Sequence, residues 1–295
     1  MFAQEHWERS PLIIERDDTA HYAALLSIAE VWGLANSGQV RYPECRLVRD
    51  GTDLAAAAYV DRANGSLDAD RLALEYENGA TLIVSGAQRY SAALWRLCRN
   101  VEDFLSHRVQ ANVYLTPPGA QALAPHFDTH DVFVMQIAGT KHWRIYEAPI
   151  HLPDAAQDMH IEDRGILISA QDFSPGTLAY LPRGFVHEAS AADEASLHVT
   201  LGVAAVTWAD LLGEMLAGVE MDDARFRAGL PIGFARDLKN ESIPTEFTRL
   251  MGELSRPDLL DDALRSLRAR LLLQRAPLMD RGDLSSRNEV GGPFG

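Results

Sequence analysis

The stretch from 108 to 205 contains RVQANVYL (108–115), DVFVMQIAG (131–139), KHWRIYEA (141–148), GTLAYLP (176–182) and SLHVTLGVAA (196–205). Each run is short, and apolar or alternating. Strands read this way, because successive side chains point to opposite faces. Pro117-Pro118-Gly119, Gly139-Thr140 and Pro175-Gly176 separate the runs as turns. Short strands broken in this manner predict a β-sandwich or barrel. The more polar stretch 149–174 predicts a long loop.

Helical periodicity flanks this block. Tyr22, Leu25, Leu26, Ala29 and Trp32 predict a helix over 18–33, with Asp18 or Thr19 as cap and Gly33 as stop. The acidic segment 61–79, with Asn64-Gly65 and Asn78-Gly79, predicts turns. ATLIVSG (80–86) predicts a buried strand. A helix is expected over 90–106, with Leu94, Leu97, Cys98, Val101, Phe104 and Leu105 on one face. After 207 three apolar stripes follow: Trp208, Leu211, Leu212, Met215 and Leu216; Phe247, Leu250, Met251 and Leu254; and Leu260, Leu264, Leu267 and Leu271. They predict a helical appendage that either covers the barrel or forms a dimer interface. The tail 276–295 is expected to fray.

The 295 residues include 27 basic and 42 acidic side chains, a formal charge of −15. That excludes a general nucleic-acid binder, which needs a basic surface against phosphate, and permits a basic partner. Two cysteines, Cys45 and Cys98, make neither a disulfide scaffold nor a CxxC site. No run approaches the roughly 18 apolar residues of a membrane span. The opening MFAQEHWERSPLII lacks a basic region followed by an apolar one, so no secretory signal is expected and the expected location is cytoplasmic.

One constellation carries chemistry. In His126-Phe127-Asp128 the first and third side chains of an extended segment share a side. His187, closing GTLAYLPRGFVH (176–187), would complete two imidazoles and one carboxylate, a set that suits non-haem Fe(II) and leaves positions open. With ten histidines one HxD arises readily by chance; its setting between Pro125 and a strand distinguishes this one. Lys141 shares a strand face with Trp143 and Ile145. Burying its ammonium is costly unless an anion meets it, and a dicarboxylate cosubstrate is one such anion. The alternative is a turn lysine whose ammonium reaches water. Asn112 and Tyr114 alternate on one strand, and His198, Thr200 and Gly202 on another, so each set can face a common cavity. His151, His160, the pair His142 and Arg144, and the acidic groups at 68–77 and 220–223 read as surface.

Taken together, NVYLTPPGAQALAPHFDTHDVFVMQIAGTKHWRIY (112–146), GTLAYLPRGFVHEA (176–189) and SLHVTLG (196–202) resemble the JmjC/cupin-like oxygenases, nearest the ribosomal oxygenase branch. FAQEHWERSPLII (2–14) and ENGATLIVSGAQRY (77–90) resemble that branch too. The resemblance is close over about 2–205 and looser to about 275. It implies an α+β fold: a double-stranded β-helix (jelly-roll) core at about 108–205 within a catalytic domain 1–205, N-terminal flanking helices, a helical, dimerising region at 206–275 and a flexible tail. It implies Fe(II), 2-oxoglutarate and O2, with His126, Asp128 and His187 as metal ligands. Lys141 and Tyr114 would hold the distal carboxylate of 2-oxoglutarate, and Asn112 and Thr200 would line its pocket. Family members often carry serine where Gly202 stands, so a polar contact is expected to be missing here.

The implied activity is hydroxylation of a protein or peptide side chain, at the β-carbon of histidine or arginine, by a homodimer that engages neither nucleic acid nor membrane. Members of that branch continue into a winged-helix domain about where this chain ends, which makes a biosynthetic precursor peptide the alternative to a ribosomal protein. A cupin-type metalloenzyme that ignores 2-oxoglutarate and a non-catalytic peptide-binding scaffold are the competing readings.

Overall fold

The computed structural model describes residues 2–61, 63–154, 164–275 and 277–279. Its first elements are α1 (Phe2–Glu5), β1 (Leu12–Ile14), α2 (Ile28–Asn36), β2 (Cys45–Arg49), β3 (Thr52–Asp53), α3 (Ala69–Glu77), β4 (Thr81–Val84) and α4 (Ala92–Leu105). The strand-rich block follows as β5 (Arg108–Thr116), β6 (Asp131–Ala138), β7 (Lys141–Tyr146), β8 (Leu167–Phe173), β9 (Leu178–Leu181), β10 (His187–Ala191) and β11 (Ser196–Ala204). Three helices come last: α5 (Trp208–Asp222), α6 (Ser242–Leu254) and α7 (Pro257–Leu273). Two compact units result, one built on 1–105 and 109–204, the other on 106–108 and 205–275.

The first unit is a jelly-roll of the α+β class. Among the described residues its larger sheet runs β1-β9-β6-β11-β5-β4-β2-β3 and its smaller one β10-β7-β8. Strand alternation sorts the core. Leu197, Val199, Leu201 and Val203 of β11, with Val109, Ala111, Val113 and Leu115 of β5, pack in one cluster with Val31 and Ala35 of α2, Leu72 of α3 and Leu94 and Cys98 of α4. Helices thus cover one face of the large sheet. The other face carries Val132 and Val134 of β6, which pack with Trp143, Ile145 and Phe173 of the smaller sheet. The polar residues of β5 and β11 that alternate with the apolar ones therefore look inward between the sheets. Burial raises the thiols of both Cys45 and Cys98 to about 12, so both are unreactive.

Several expectations are corrected. The first long helix starts at Ile28, not 18: Ser27 and Glu30 close a capping box there, and the chain runs through Gly33 to Asn36. Such a cap contributes about 1 kcal/mol, enough to place the start against weak propensity upstream. Between the two Asn-Gly turns of 61–79 lies α3, capped by Asp68, with Leu72 fully buried. Phe104 is exposed although its α4 neighbours are covered. The stretch 149–174 is not all loop, because Leu167–Phe173 pairs with β7 as an edge strand. Its burial on one side only left a weak apolar pattern. His160 and most of the tail from 276 lie outside the described residues.

In the second unit Leu211 and Met215 of α5 pack with Ala263 and Leu267 of α7. The stripes split: Trp208, Leu212 and Leu216 of α5, Phe247 and Met251 of α6, and Leu260 and Leu264 of α7 stay exposed. Among the described residues no helix is long and apolar enough to cross a membrane.

Candidate active site

His126 lies on an extended segment ahead of β6, and His187 opens β10. Their backbones form an isolated antiparallel bridge: the His187 N–H donates to the His126 carbonyl at 2.8 Å and the His126 N–H to the His187 carbonyl at 3.2 Å. Phe127 between the first two ligands turns the other way and is buried with Tyr146 and Val186, so His126 and Asp128 project together. His126 Nε2 stands 3.8 Å from one Asp128 oxygen and His187 Nε2 3.7 Å from the other. One ligand atom from each residue lies within 4.8 Å of those of the other two.

The rings are held for metal binding. His126 Nδ1 lies 2.8 Å from the Ala124 carbonyl and His187 Nδ1 3.0 Å from the Phe185 carbonyl. A carbonyl accepts only, so each Nδ1 donates and each Nε2 is left facing the Asp128 carboxylate. Burial pushes His187 down to about 4, which keeps it neutral. Burial alone would raise the Asp128 carboxyl, but the imidazoles of His130, His187 and His126 outweigh it and hold it below the ordinary range. Two imidazoles and one carboxylate thus converge, the donor set for a divalent non-haem metal.

The surroundings of the triad are fixed by a buried ion-pair network. Asp131, fully buried, accepts from Tyr180 Oη at 2.9 Å and from Arg183 Nη1 at 2.8 Å, and Arg183 also reaches Glu8 at 2.6 Å. Gly184 then donates its N–H to the Asp128 carbonyl at 3.0 Å. The segment carrying Asp128 and the turn carrying His187 are tied together in this way.

The pocket over the triad is lined by Tyr114, Lys141, Trp143, His198 and Thr200, among others. Lys141 is 2% exposed, which decides against a lysine reaching water. Its ammonium donates to Thr116 Oγ1 at 3.1 Å and lies 3.4 Å from His198 Nδ1. Among the described residues no carboxylate pairs with it, and desolvation lowers it to about 7. His198 is driven well down by burial and then by Lys141, so its Nδ1 accepts. Tyr114 stacks on His198, the rings 4.7 Å apart and 2° from parallel.

Asn112 departs from expectation. Its Oδ1 accepts from the Gly86 N–H at 3.1 Å and from Gln110 Nε2 at 3.0 Å, and it is not among the pocket-lining residues. Sequence reading overlooked Thr116, placed at the end of β5 just before a Pro-Pro turn, and gave His198 no role. The alternation of SLHVTLG was the available signal for His198; nothing local marked Thr116. Gly202 adjoins the His130 ring, since a Cβ on it would lie 2.7 Å from His130 Cδ2. His142 and Arg144 are exposed, as read.

The family model for the JmjC domain matches residues 84–211, which span β5 to β11 and every residue of the triad and pocket just described. The chain belongs to the JmjC family. The JmjC chain is 33% identical over 247 residues to ribosomal oxygenase 1 of Gallus gallus, covering 78% of this chain and 40% of that protein. It is 33% identical over 268 residues to ribosomal oxygenase 2 of Bos taurus, covering 86% of this chain and 56% of that protein. It thus spans about half the length of these curated relatives. Among solved structures, YcfD of Escherichia coli, a ribosomal oxygenase in complex with cobalt and 2-oxoglutarate, superposes with a TM-score of 0.59 at 19% identity, over 90% of this chain and 69% of that one. That likeness is one of fold, and the JmjC fold is the jelly-roll seen here.

Proposed function

We propose that this chain is an Fe(II)- and 2-oxoglutarate-dependent oxygenase that hydroxylates a side chain of a protein or peptide, with succinate and CO2 as coproducts. The observation that carries the proposal is the juxtaposition, in one pocket, of the His126/Asp128/His187 donor set with a buried ammonium that has no carboxylate partner among the described residues. A metalloenzyme indifferent to 2-oxoglutarate has no use for the second feature, which costs stability.

His126, Asp128 and His187 would hold the iron. Lys141 would pair with the distal carboxylate of 2-oxoglutarate, with Thr116 and His198 orienting its ammonium, and Tyr114 and Thr200 would border the cosubstrate. The iron, with 2-oxoglutarate and O2, supplies the oxidising power to hydroxylate an unactivated C–H bond. The protein turns Nε2 of both ligand imidazoles toward Asp128, excludes water around Lys141 and sets which C–H bond lies nearest.

The curated relatives named as ribosomal oxygenases favour a protein substrate, and a Drosophila persimilis relative carries histidyl-hydroxylase in its name. We read the target as the β-carbon of histidine or arginine, in a ribosomal protein or, alternatively, a precursor peptide. The −15 charge suits a basic segment. The exposed stripes of α5, α6 and α7 suit burial in a homodimer, and a monomer in sedimentation would reject that.

The test is an anaerobic titration with Fe(II) and then 2-oxoglutarate, followed in visible absorption. A charge-transfer band that is lost in His126→Ala and weakened in Lys141→Ala is expected. Bound metal without a band would replace this reading with a metalloenzyme of another kind.

A further inference from the structure

The side chains around Lys141 are set to donate. Trp143 lies two residues along the same face of β7 and lines the same pocket. It is 5% exposed, and its Nε1, which only donates, has no acceptor among the described residues. The Tyr114 side chain borders the pocket with its hydroxyl. Thr116 Oγ1 accepts from the Lys141 nitrogen at 3.1 Å and keeps a proton of its own to give. His198 Nδ1, an acceptor, stands 3.4 Å from the same nitrogen.

A lysine buried in this way differs from one at the surface. Desolvation lowers it to about 7, so a large share of it is free amine at neutral pH. The chain has one other lysine, Lys239, which is exposed and solvated. A free amine is a nucleophile toward CO2. The nitrogen lone pair forms a new N–C bond, and one C=O electron pair moves onto oxygen. The proton shed by nitrogen passes to His198 Nδ1 and on to solvent. Nothing is oxidised or reduced. The product is a carbamate, whose oxygens stand about 2.3 Å from Nζ by the bond lengths of an amide-like group. A carboxylate paired with the ammonium would place an oxygen about 2.7–2.9 Å from it. Both anions therefore fall on nearly the same donors.

We propose that Lys141 is a site of reversible carbamylation by CO2, the new carboxylate being held by Trp143 Nε1 and the Tyr114 and Thr116 hydroxyls where the distal carboxylate of the cosubstrate would sit. Carbamate formation stands on the pocket itself, and its exclusion of 2-oxoglutarate rests on the oxygenase reading above. The adduct turns a cation into an anion at the point where the cosubstrate needs the cation. CO2, a coproduct of the proposed reaction, would then slow further turnover whenever 2-oxoglutarate is scarce.

The test equilibrates the full chain with carbon-13 bicarbonate and CO2 at neutral pH. Carbon-13 NMR should show a carbamate resonance apart from those of bicarbonate and CO2. Trapping with an alkyl oxonium salt, then peptide mass spectrometry, should place the adduct on Lys141 and leave Lys239 bare. The Lys141 adduct should vanish in Lys141→Arg, which keeps the charge without a nucleophilic amine, and persist in Lys239→Arg. It should fall about tenfold in Trp143→Phe, which keeps a ring and removes the donor. Co(II) with 2-oxoglutarate should displace it. In turnover, CO2 at the concentration that half-fills the site should about double the KM for 2-oxoglutarate and leave kcat unchanged. Folded wild type saturated with CO2 yet bare at Lys141 would overturn the proposal, as would an adduct that survives with 2-oxoglutarate bound. If the adduct forms but 2-oxoglutarate does not bind, the oxygenase reading has failed and the carbamylation site stands without it.

Discussion

Lys141→Met should make the cofactor-free protein more stable while abolishing its response to 2-oxoglutarate. At about 1.4 kcal/mol per pKa unit, lowering the ammonium from 10.5 to about 7 reflects a burial cost on the order of 5 kcal/mol in the free protein. Against that stands the loss of two contacts. Thr116 Oγ1 still has Thr81 Oγ1 at 3.2 Å, but His198 Nδ1 loses its neighbour at a cost of about 1–3 kcal/mol. The balance is a gain of about 2 kcal/mol, or about 3 °C in Tm for a chain of this size. The sign with pH follows from a cation whose folded pKa is lowered. The cost is absent above 10.5, grows as pH falls, and is complete below about 7. The gain should therefore be full at pH 7 and shrink toward zero at pH 9. Thermal melts with Co(II) in place of iron are the assay. Wild type should gain about 3 kcal/mol from 2-oxoglutarate at a hundredfold excess over Kd, and the variant nothing. A variant less stable than wild type at pH 7, or one still stabilised by 2-oxoglutarate, would refute the reasoning.

Asp128→Ala should fold and yet lose the rise in Tm that Co(II) gives wild type, since two imidazoles alone remain. Asp131→Ala strands the Arg183 guanidinium in the interior with Glu8 as its remaining carboxylate; urea melts should show a loss of about 3–5 kcal/mol. Gly184→Ala places a Cβ 2.3 Å from the Ile150 carbonyl at a φ of +92°. It should cost about 2 kcal/mol or more and weaken Co(II) binding, because the Gly184 N–H holds the Asp128 carbonyl. A calorimetric titration would show the change in affinity.

What the sequence disclosed follows from periodicity. Alternation in β5, β7 and β11 separated pocket from core, and the i, i+2 spacing of His126 and Asp128 put them on one side. What it concealed depends on contacts between distant segments. The capping box at Ser27 outweighs the helical pattern upstream. The edge strand β8 is covered on one side only and lacks a full apolar pattern. Thr116 acquires its place only because Lys141 arrives from another sheet, and Asn112 turns to the backbone of Gly86 rather than into the pocket. The His130 ring over Gly202 joins residues 72 apart, which no local pattern reveals.

The reciprocal main-chain bridge between His126 and His187 has a consequence for how such a site can diversify. Ligand spacing here is written in backbone hydrogen bonds, which any side chain beside them inherits unchanged. The pocket wall is written instead in the side chains of Tyr114, Lys141, Trp143, His198 and Thr200. Exchange of those side chains leaves the His126–His187 bridge untouched, so the wall can change by small steps, none of which disturbs the ligand spacing.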